Sequence, residues 1–253
     1  MATWPDGVDR VVFETLDSTN AEAIRRAKDG LRVPTWFFTA EQTQSRARRG
    51  RPWDAGKGNF SASLLMRPEG KLEDAALRSF IAALSLREAL VEVCGREDLF
   101  ALKWPNDVLL NNRKLAGILL ESGTDRFGMY LCIGIGVNLV NEPDPTFIEE
   151  GAFAPISLRS VTGLTIDPLD FLNALAAAFE RWEQVFLRMG FSPIRSEWLN
   201  NATRLGEVIT AKMMDRVETG VFETVDETGA IVLRTPKGLQ RISAADIYFG
   251  MEA

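Results

Sequence analysis

Histidine is absent from this chain of 253 residues, and this absence narrows the possible chemistry more than any other feature of its composition. Without histidine the chain cannot build a Ser-His-Asp triad, a Cys-His pair or an imidazole-ligated zinc site. Catalysis would therefore rest on lysine, arginine, carboxylate and amide groups, or on a metal that arrives with the substrate.

Cysteine, long apolar segments and positive charge are also scarce. Cys94 and Cys132 are far apart in the sequence, and we expect two buried thiols. No apolar run approaches 18 residues and the N-terminus has no signal-peptide pattern, so we expect a cytoplasmic protein without a membrane segment. The net charge of −6 provides no basic surface for general binding of nucleic acids.

Strand and helix patterns divide the chain into two parts of different character. Up to about residue 202, short β-branched segments alternate with helical patterns, which predicts a main domain with helices packed on a sheet. After residue 203, short strands are separated by turns and suit a small barrel of SH3-like size. The predicted domains are therefore residues 1–202 and 203–253.

An arginine-rich segment follows the second predicted strand and reads Q-T-Q-S-R-A-R-R-G-R. Arginine holds carboxylate and phosphate oxygens in a bidentate fork, so the segment predicts a loop that folds over an anionic ligand. If the segment is extended, alternation points Arg46 and Arg48 the same way. A solvated charged loop is the alternative. Four arginines fall within six residues of this acidic protein: Arg46, Arg48, Arg49 and Arg51.

The string K-W-P-N-D occupies residues 103–107, where Pro105 interrupts two short strands. Lys103, Asn106 and Asp107 could reach a phosphate, a purine and a metal respectively. A turn with a capping asparagine explains the same residues without any ligand.

The next polar residue of interest, Lys114, begins an apolar strand. Alternation predicts that Lys114, Ala116 and Ile118 face the same side, and Gly117 would let a ligand approach the backbone closely. A lysine whose side chain simply reaches solvent from a strand end is the commoner explanation.

The string D-S-T-N at residues 17–20 precedes a helical pattern. Thr19 and Glu22 have the spacing of a capping box, so helix initiation alone would explain the motif. Both explanations can hold together, because the donors at a helix N-terminus also suit a polar ligand.

Taken together, these strings resemble those of the biotin protein ligase family over nearly the whole chain. The family's D-S-T-N, Q-T-x-G-R-G-R-x-G-R, K-W-P-N-D, K-L-A-G-I-L and G-x-G-x-N strings match, in this order, residues 17–20, 42–51, 103–107, 114–119 and 134–138. The resemblance implies an α+β fold: a catalytic domain like those of class II aminoacyl-tRNA synthetases and biotin–lipoate ligases, with a mixed sheet, followed by an SH3-like C-terminal barrel.

The resemblance also implies roles for individual residues. It assigns catalysis to Lys114, Arg48 and Arg46. Biotin would be held by Ser18, Thr19, Asn20, Gln42, Arg46, Ala47, Arg48, Lys114 and Gly117. ATP would be held by Arg48, Arg49, Arg51, Trp53, Lys103, Asn106 and Asn138, with Mg²⁺ carried by the ATP phosphates and placed with help from Asn138.

The implied function is ATP-dependent formation of biotinyl-5′-AMP, followed by transfer of biotin to one lysine of a biotin carboxyl carrier protein or domain. A lipoate–protein ligase shares this chemistry and is the nearest alternative, and a non-catalytic biotin-binding homologue is another. An edge strand beside the arginine loop makes a sheet-extending homodimer a further expectation.

Three features depart from the family pattern. Ser45 and Ala47 replace loop glycines, which would cost about 1–2 kcal/mol if a positive φ were required there. Thr224 and Ala245 replace glycines of the C-terminal domain. Many relatives carry an N-terminal DNA-binding domain, but here the first motif begins at residue 17, so we expect no binding to operator DNA.

Overall fold

A computed structural model describes residues 3–51, 53, 56–143 and 153–248, and only the backbone of residue 49. A seven-stranded mixed sheet forms the larger part, in the spatial order β1-β2-β3-β7-β6-β5-β4, with β1 parallel to β2 and the other neighbours antiparallel. Its strands are β1 (Asp9–Leu16), β2 (Thr35–Gln42), β3 (Phe60–Met66), β4 (Phe100–Lys103), β5 (Asp107–Leu110), β6 (Arg113–Asp125) and β7 (Gly128–Val137).

Helices cover both faces of this sheet. They are α1 (Thr19–Lys28), α2 (Leu72–Ala76), α3 (Arg78–Cys94), α4 (Leu158–Thr162), α5 (Pro168–Met189) and α6 (Phe191–Asn200), with 3₁₀ turns at Arg48–Gly50 and Glu97–Leu99. Strand alternation separates two hydrophobic clusters. Trp36 and Phe38 of β2 belong to the larger cluster, with α3, α5 and α6, whereas Phe37 belongs to a smaller one beside α1. None of the helices within the described residues is long and apolar enough to cross a bilayer.

Local sequence signals explain several helix ends. Asp167 caps α5 by accepting from Leu169 N and Asp170 N, and Gly95 ends α3 in the left-handed conformation, with a φ of 69°. The predicted capping box at Thr19 is wrong. The N-cap of α1 is Ser18, whose hydroxyl accepts from Ala21 N.

One further expectation needs correction. Cys94 is only half-buried, unlike the fully buried Cys132, since it lies in the last turn of α3 beyond the edge of the core.

A five-stranded antiparallel sheet forms the C-terminal part, in the order β11-β10-β9-β8-β12. Its strands are β8 (Val208–Lys212), β9 (Val217–Val225), β10 (Ile231–Thr235), β11 (Gly238–Ile242) and β12 (Asp246–Tyr248). The chain leaves the edge of the large sheet near Thr203, whose N–H donates to Leu102 O at 2.8 Å. The division of the chain into domains at residue 203 stays a prediction.

The C-terminal sheet is fastened to the larger part by hydrogen bonds and by shared apolar packing. Trp104 Nε1 donates to Gly229 O at 3.0 Å, and Arg195 Nη2 donates to Thr224 Oγ1 at 3.1 Å. Thr224, one of the two residues that replace family glycines in this part, thus makes a contact that a glycine could not make. Ala245, the other, is fully buried. The buried residues of both parts form one continuous hydrophobic cluster, so the small sheet has a fixed place beside the large one.

Candidate active site

A cavity of about 220 Å³ opens at the end of the large sheet, where the arginine loop, the start of β6 and strand β12 meet. The C-terminal sheet contributes Asp246, Ile247 and Tyr248 to its wall. The structure brings together at this cavity the following residues that the sequence predicts to bind ligand: Ser18, Thr19, Asn20, Gln42, Arg46, Ala47, Arg48, Arg51, Trp53, Lys103, Asn106, Lys114 and Gly117.

Asp107 is the electrostatic centre of the cavity. Its carboxylate is buried at 6% exposure and pairs with Lys103 Nζ at 3.1 Å and with Lys114 Nζ at 2.7 Å. Burial by itself would raise the pKa of Asp107, but the charges of Lys114 and Lys103 outweigh burial and hold this pKa below its usual range. Asp107 is therefore ionised, and two ammonium groups share one carboxylate.

This arrangement disfavours a metal ion at Asp107, which the sequence left as a possibility. Both of its oxygens face lysines, and the two positive charges oppose the approach of a cation. Within the described residues, no cluster of three or more acidic or cysteine side chains is arranged to hold a metal ion.

A β-bulge sets the direction of Lys114. Lys114 pairs with Leu109 while Ala116 pairs with Val108, so Leu115 is an extra residue in β6. The prediction that Lys114, Ala116 and Ile118 share one face by simple alternation is therefore wrong. Lys114 instead extends over the cavity side of Gly117, where a Cβ added to the glycine would lie 3.7 Å from Lys114 Cε.

Paired glycines of β6 and β7 make room for a tryptophan. Gly117 is the partner of Gly136 across the two strands, and Trp53 lies over this pair. A Cβ added to Gly136 would come within 2.6 Å of Trp53 Nε1, so a side chain there would displace the ring. Lys114 Nζ lies 5.8 Å from the centre of the Trp53 ring, so the ring makes a cation–π contact with one of the two lysines that pair with Asp107.

Two arginines of the loop reach different ends of the cavity. Arg46 Nη2 contacts both carboxylate oxygens of Glu121 at 3.0 Å, whereas Arg48 Nη1 donates to Asn106 Oδ1 at 3.1 Å. Ala47 between them is extended, and the 3₁₀ turn Arg48–Gly50 begins only after it. Both arginines line the cavity, although they contact different partners there.

The base of the arginine loop is closed by Ser45. Its hydroxyl donates to Trp53 O, and Trp53 N donates back to Ser45 O at 3.3 Å. Ala47 N donates to Arg51 O at 2.7 Å, and Ala47 has an extended backbone with a φ of −104°. Neither Ser45 nor Ala47 has a positive φ, so the strain considered for the lost glycines does not arise.

A polar pocket forms where α1 begins. Thr19 N donates to Gln42 Oε1 at 2.8 Å, and Asn20 Nδ2 donates to Glu121 Oε2 at 2.8 Å. Ser63 Oγ lies within hydrogen-bonding distance of both Thr19 Oγ1, at 2.7 Å, and Asn20 Oδ1. The motif at residues 17–20 therefore initiates a helix and lines the cavity at once.

The sequence did not single out Ser63, Glu121, Phe153 or Asp246. Lys103 Nζ lies 4.8 Å from the centre of the Phe153 ring, and Asp246 pairs with Arg51 Nη2 at 3.2 Å. Of these residues, Glu121 had a usable signal, because it follows Gly117 by two alternations along β6.

Asn138 is placed differently from the other predicted residues. It is 1% exposed behind the cavity wall, where its side-chain amide donates to Ile156 O at 3.2 Å. Its N–H donates to Leu115 O at 2.9 Å, which braces the bulge after Lys114. Its predicted contact with Mg²⁺ and ATP stays a prediction, as does the role of Arg49, whose side chain lies outside the described residues.

Comparison with known proteins identifies the class to which this site belongs. The sequence model described as the Biotin/lipoate A/B protein ligase family matches residues 12–138, and the one described as the Biotin protein ligase C terminal domain matches residues 205–250. The chain is 48% identical over 235 residues to the biotin--[acetyl-CoA-carboxylase] ligase of Paracoccus denitrificans, covering 92% of this chain and 98% of that protein.

Less similar proteins also match over most of the chain. The chain is 29% identical over 247 residues to the bifunctional ligase/repressor BirA of Bacillus subtilis, covering 96% of this chain and 75% of that protein. The solved structure of the biotin protein ligase from Aquifex aeolicus in complex with biotin and ATP has a TM-score of 0.79 at 26% identity, covering 94% of this chain and 97% of that chain. This chain belongs to the Biotin/lipoate A/B protein ligase family, in its biotin protein ligase branch. The resemblance and the α+β fold class are confirmed.

The pairing of Lys103 with Asp107 leads to a prediction about how ATP binding depends on pH. Burial lowers the pKa of Lys103, and the negative charge of Asp107 opposes that shift. Replacement Asp107→Asn removes the opposing charge, so Lys103 should lose its proton at a lower pH than in the wild type. The Michaelis constant for ATP, measured from about pH 7 to about pH 10, should therefore begin to rise at lower pH.

The control for this prediction is Lys103→Arg in the Asp107→Asn background. A guanidinium does not lose its proton in this range, so the Michaelis constant for ATP should stay flat with pH. Identical pH profiles for the wild type and Asp107→Asn would show that Asp107 does not govern the charge of Lys103.

Proposed function

We propose that this chain is an ATP-dependent biotin protein ligase. It forms biotinyl-5′-AMP from biotin and ATP and then transfers biotin to one lysine of a biotin carboxyl carrier protein or domain. The observation that carries this proposal is the convergence of Lys103, Lys114 and Arg48 on one cavity, whose other end is the polar pocket at the start of α1. The Aquifex aeolicus relative was solved with biotin and ATP.

In the first half-reaction, a carboxylate oxygen of biotin attacks the α-phosphorus of ATP, and the bond to pyrophosphate breaks. Negative charge builds on the phosphoryl oxygens, where a preorganised cation stabilises the transition state more than the ground state. Lys114 extends over Gly117 and holds its ammonium group beside Asp107 for this purpose, and Arg48 is fixed by Asn106. Lys103 attracts the phosphates, which arrive with Mg²⁺.

In the second half-reaction, the amine of the carrier lysine attacks the acyl carbon of biotinyl-5′-AMP, and AMP leaves. No nucleophile from the enzyme is required, which agrees with the absence of histidine. A mixed anhydride is open to hydrolysis, so the site must exclude water while it waits for the carrier. The closed base of the loop at Ser45 and the ring of Trp53 provide that cover.

Biotin rather than lipoate is the proposed acid because polar groups line the pocket at α1. The hydroxyl of Ser18 and the amides of Asn20 and Gln42 match the carbonyl and N–H groups of the ureido ring, which lipoate lacks. The buried Lys103–Asp107 pair favours an enzyme over a non-catalytic homologue, since a buried charged pair is costly to maintain without a functional need.

The name of the Paracoccus relative suggests a carrier domain of acetyl-CoA carboxylase as the acceptor. Strand β1 is an unpaired edge of the large sheet within the described residues, and it supports the proposal of a homodimer that extends the sheet. A cytoplasmic location and the lack of operator binding stay predictions, although the Bacillus relative is named as a repressor as well as a ligase.

Exchange of pyrophosphate into ATP tests the choice of acid directly. A pocket that hydrogen-bonds the ureido group should reject an acid without it by roughly 10⁴-fold. We therefore expect exchange with biotin and essentially none with lipoate at equal concentrations. Exchange driven by lipoate alone would make the chain a lipoate ligase, and exchange with neither acid would favour the non-catalytic homologue.

Lys114→Ala tests the proposed source of charge stabilisation. Loss of one preorganised donor to the developing charge should lower the rate of biotin adenylation by about 10²–10³-fold. Lys237→Ala is the matched control, because Lys237 is an exposed lysine between β10 and β11, on the opposite side of the C-terminal sheet from the cavity-lining β12, and it should leave the rate unchanged. An adenylation rate for Lys114→Ala equal to that of the control would remove Lys114 from the mechanism.

A further inference from the structure

Glu121 joins two cavity-lining residues that come from different parts of the chain. It lies on β6, on the cavity side of the strand, and its side chain is 30% exposed. Asn20 of α1 donates to its Oε2 atom at 2.8 Å, and Arg46 of the arginine loop contacts both of its oxygens at 3.0 Å. Glu121 thus stands behind the groups that line the cavity.

The first of these contacts fixes the direction of an amide. A carboxylate only accepts hydrogen bonds, so Asn20 must turn Nδ2 towards Glu121 and Oδ1 away from it. Oδ1 faces the hydroxyl of Ser63, which can donate to it. A Cβ on Gly134 would come within 2.2 Å of Asn20 Oδ1, so the glycine leaves space for this orientation. The second hydrogen of Nδ2 is then available to an acceptor in the cavity.

The second contact, between Arg46 and Glu121, fixes the first part of the arginine loop. Arg46 and Glu121 are 40% and 30% exposed, and ion pairs of this exposure add little to the stability of the fold. The pair instead determines where the loop meets the pocket, because Arg46 is anchored to the same carboxylate that orients Asn20. Closing the loop and ordering the pocket therefore share one charged group.

We infer that Glu121 is a positioning residue for the head group of biotin. It presents an N–H of Asn20 to the ureido carbonyl and holds Arg46 beside it, so that recognition of the ureido ring and closure of the arginine loop are coupled. This inference rests on the proposed function. Glu121 follows the K-L-A-G-I-L string by two residues, and no motif identified in the sequence includes it.

Glu121→Gln removes the charge while nearly keeping the shape of the side chain. The Michaelis constant for biotin in the exchange assay should rise about tenfold, which corresponds to the loss of a hydrogen bond to a charged group. The turnover number and the Michaelis constant for ATP should stay within about twofold, because the reacting atoms lie near Lys114. Glu121→Asp keeps the charge and should recover part of the affinity for biotin.

Asp125→Asn is the matched control. Asp125 lies on the same face of the same strand and pairs with an arginine, Arg67, at 2.7 Å, but this partner does not line the cavity, whereas both partners of Glu121 do. The control should leave the Michaelis constant for biotin unchanged. The inference is overturned if Glu121→Gln behaves as Asp125→Asn does, or if Glu121→Gln raises the constants for biotin and ATP equally.

Cleavage of the arginine loop by trypsin tests the coupling separately. Biotin alone should slow this cleavage in the wild type and should fail to slow it in Glu121→Gln. In a double-mutant cycle with Arg46→Met, the two replacements should be strongly non-additive in the Michaelis constant for biotin. Full additivity, or equal protection of Glu121→Gln, would contradict the coupling. A wild type without biotin-dependent exchange would instead overturn the proposed function.

Discussion

The ion-paired carboxylate of Asp107 is the constraint on which the rest of the site depends. A buried carboxylate is costly unless it is paired, and two lysine ammonium groups packed close together would repel each other without a negative charge between them. The carboxylate and the two ammonium groups therefore stabilise one another. The cluster keeps one net positive charge, which attracts phosphate and carboxylate groups into the cavity.

Several local features of the fold serve this cluster. The short strands β4 and β5 bring Lys103 and Asp107 to the same end of the sheet, and the bulge in β6 turns Lys114 back towards them. Asn138 braces that bulge from behind through Leu115. Removing any of these supports would move one charge of the cluster with respect to the other two.

The arginine loop is organised on a similar plan. Its arginines are anchored to separate elements, with Arg46 on β6, Arg48 beside β5 and Arg51 on β12 of the C-terminal sheet. The C-terminal sheet therefore helps to position the loop as well as lining the cavity. A ligand beneath the loop would meet charges fixed from several directions, and this preorganisation is what electrostatic catalysis requires.

Much of this could be predicted from the sequence, and the failures have physical causes. The motifs identified the residues that meet at the cavity, because each motif lies at the end of a strand or the start of a helix. The predicted direction of the Lys114 side chain was wrong, because a β-bulge leaves no sign in an alternating sequence pattern. The pairing of Asp107 with Lys114 has no signal in the sequence, because the two residues meet only when β5 and β6 pair.

Residues without a motif were missed for a related reason. Ser63 and Asp246 reach the site through sheet pairing and through docking of the C-terminal sheet, neither of which leaves a local signal in the sequence. The separate partners of Arg46 and Arg48 could not be predicted either, because Glu121 and Asn106 come from distant parts of the chain.

Native mass spectrometry of the purified chain, incubated with biotin and Mg-ATP in the absence of a carrier protein, tests the account most directly. If the lysine and arginine groups converge on one acyl-adenylate and shield it from water, one biotinyl-5′-AMP should remain bound to each chain and pyrophosphate should be released. A chain that binds biotin and ATP side by side without joining them, or that releases only free biotin and AMP, would contradict it.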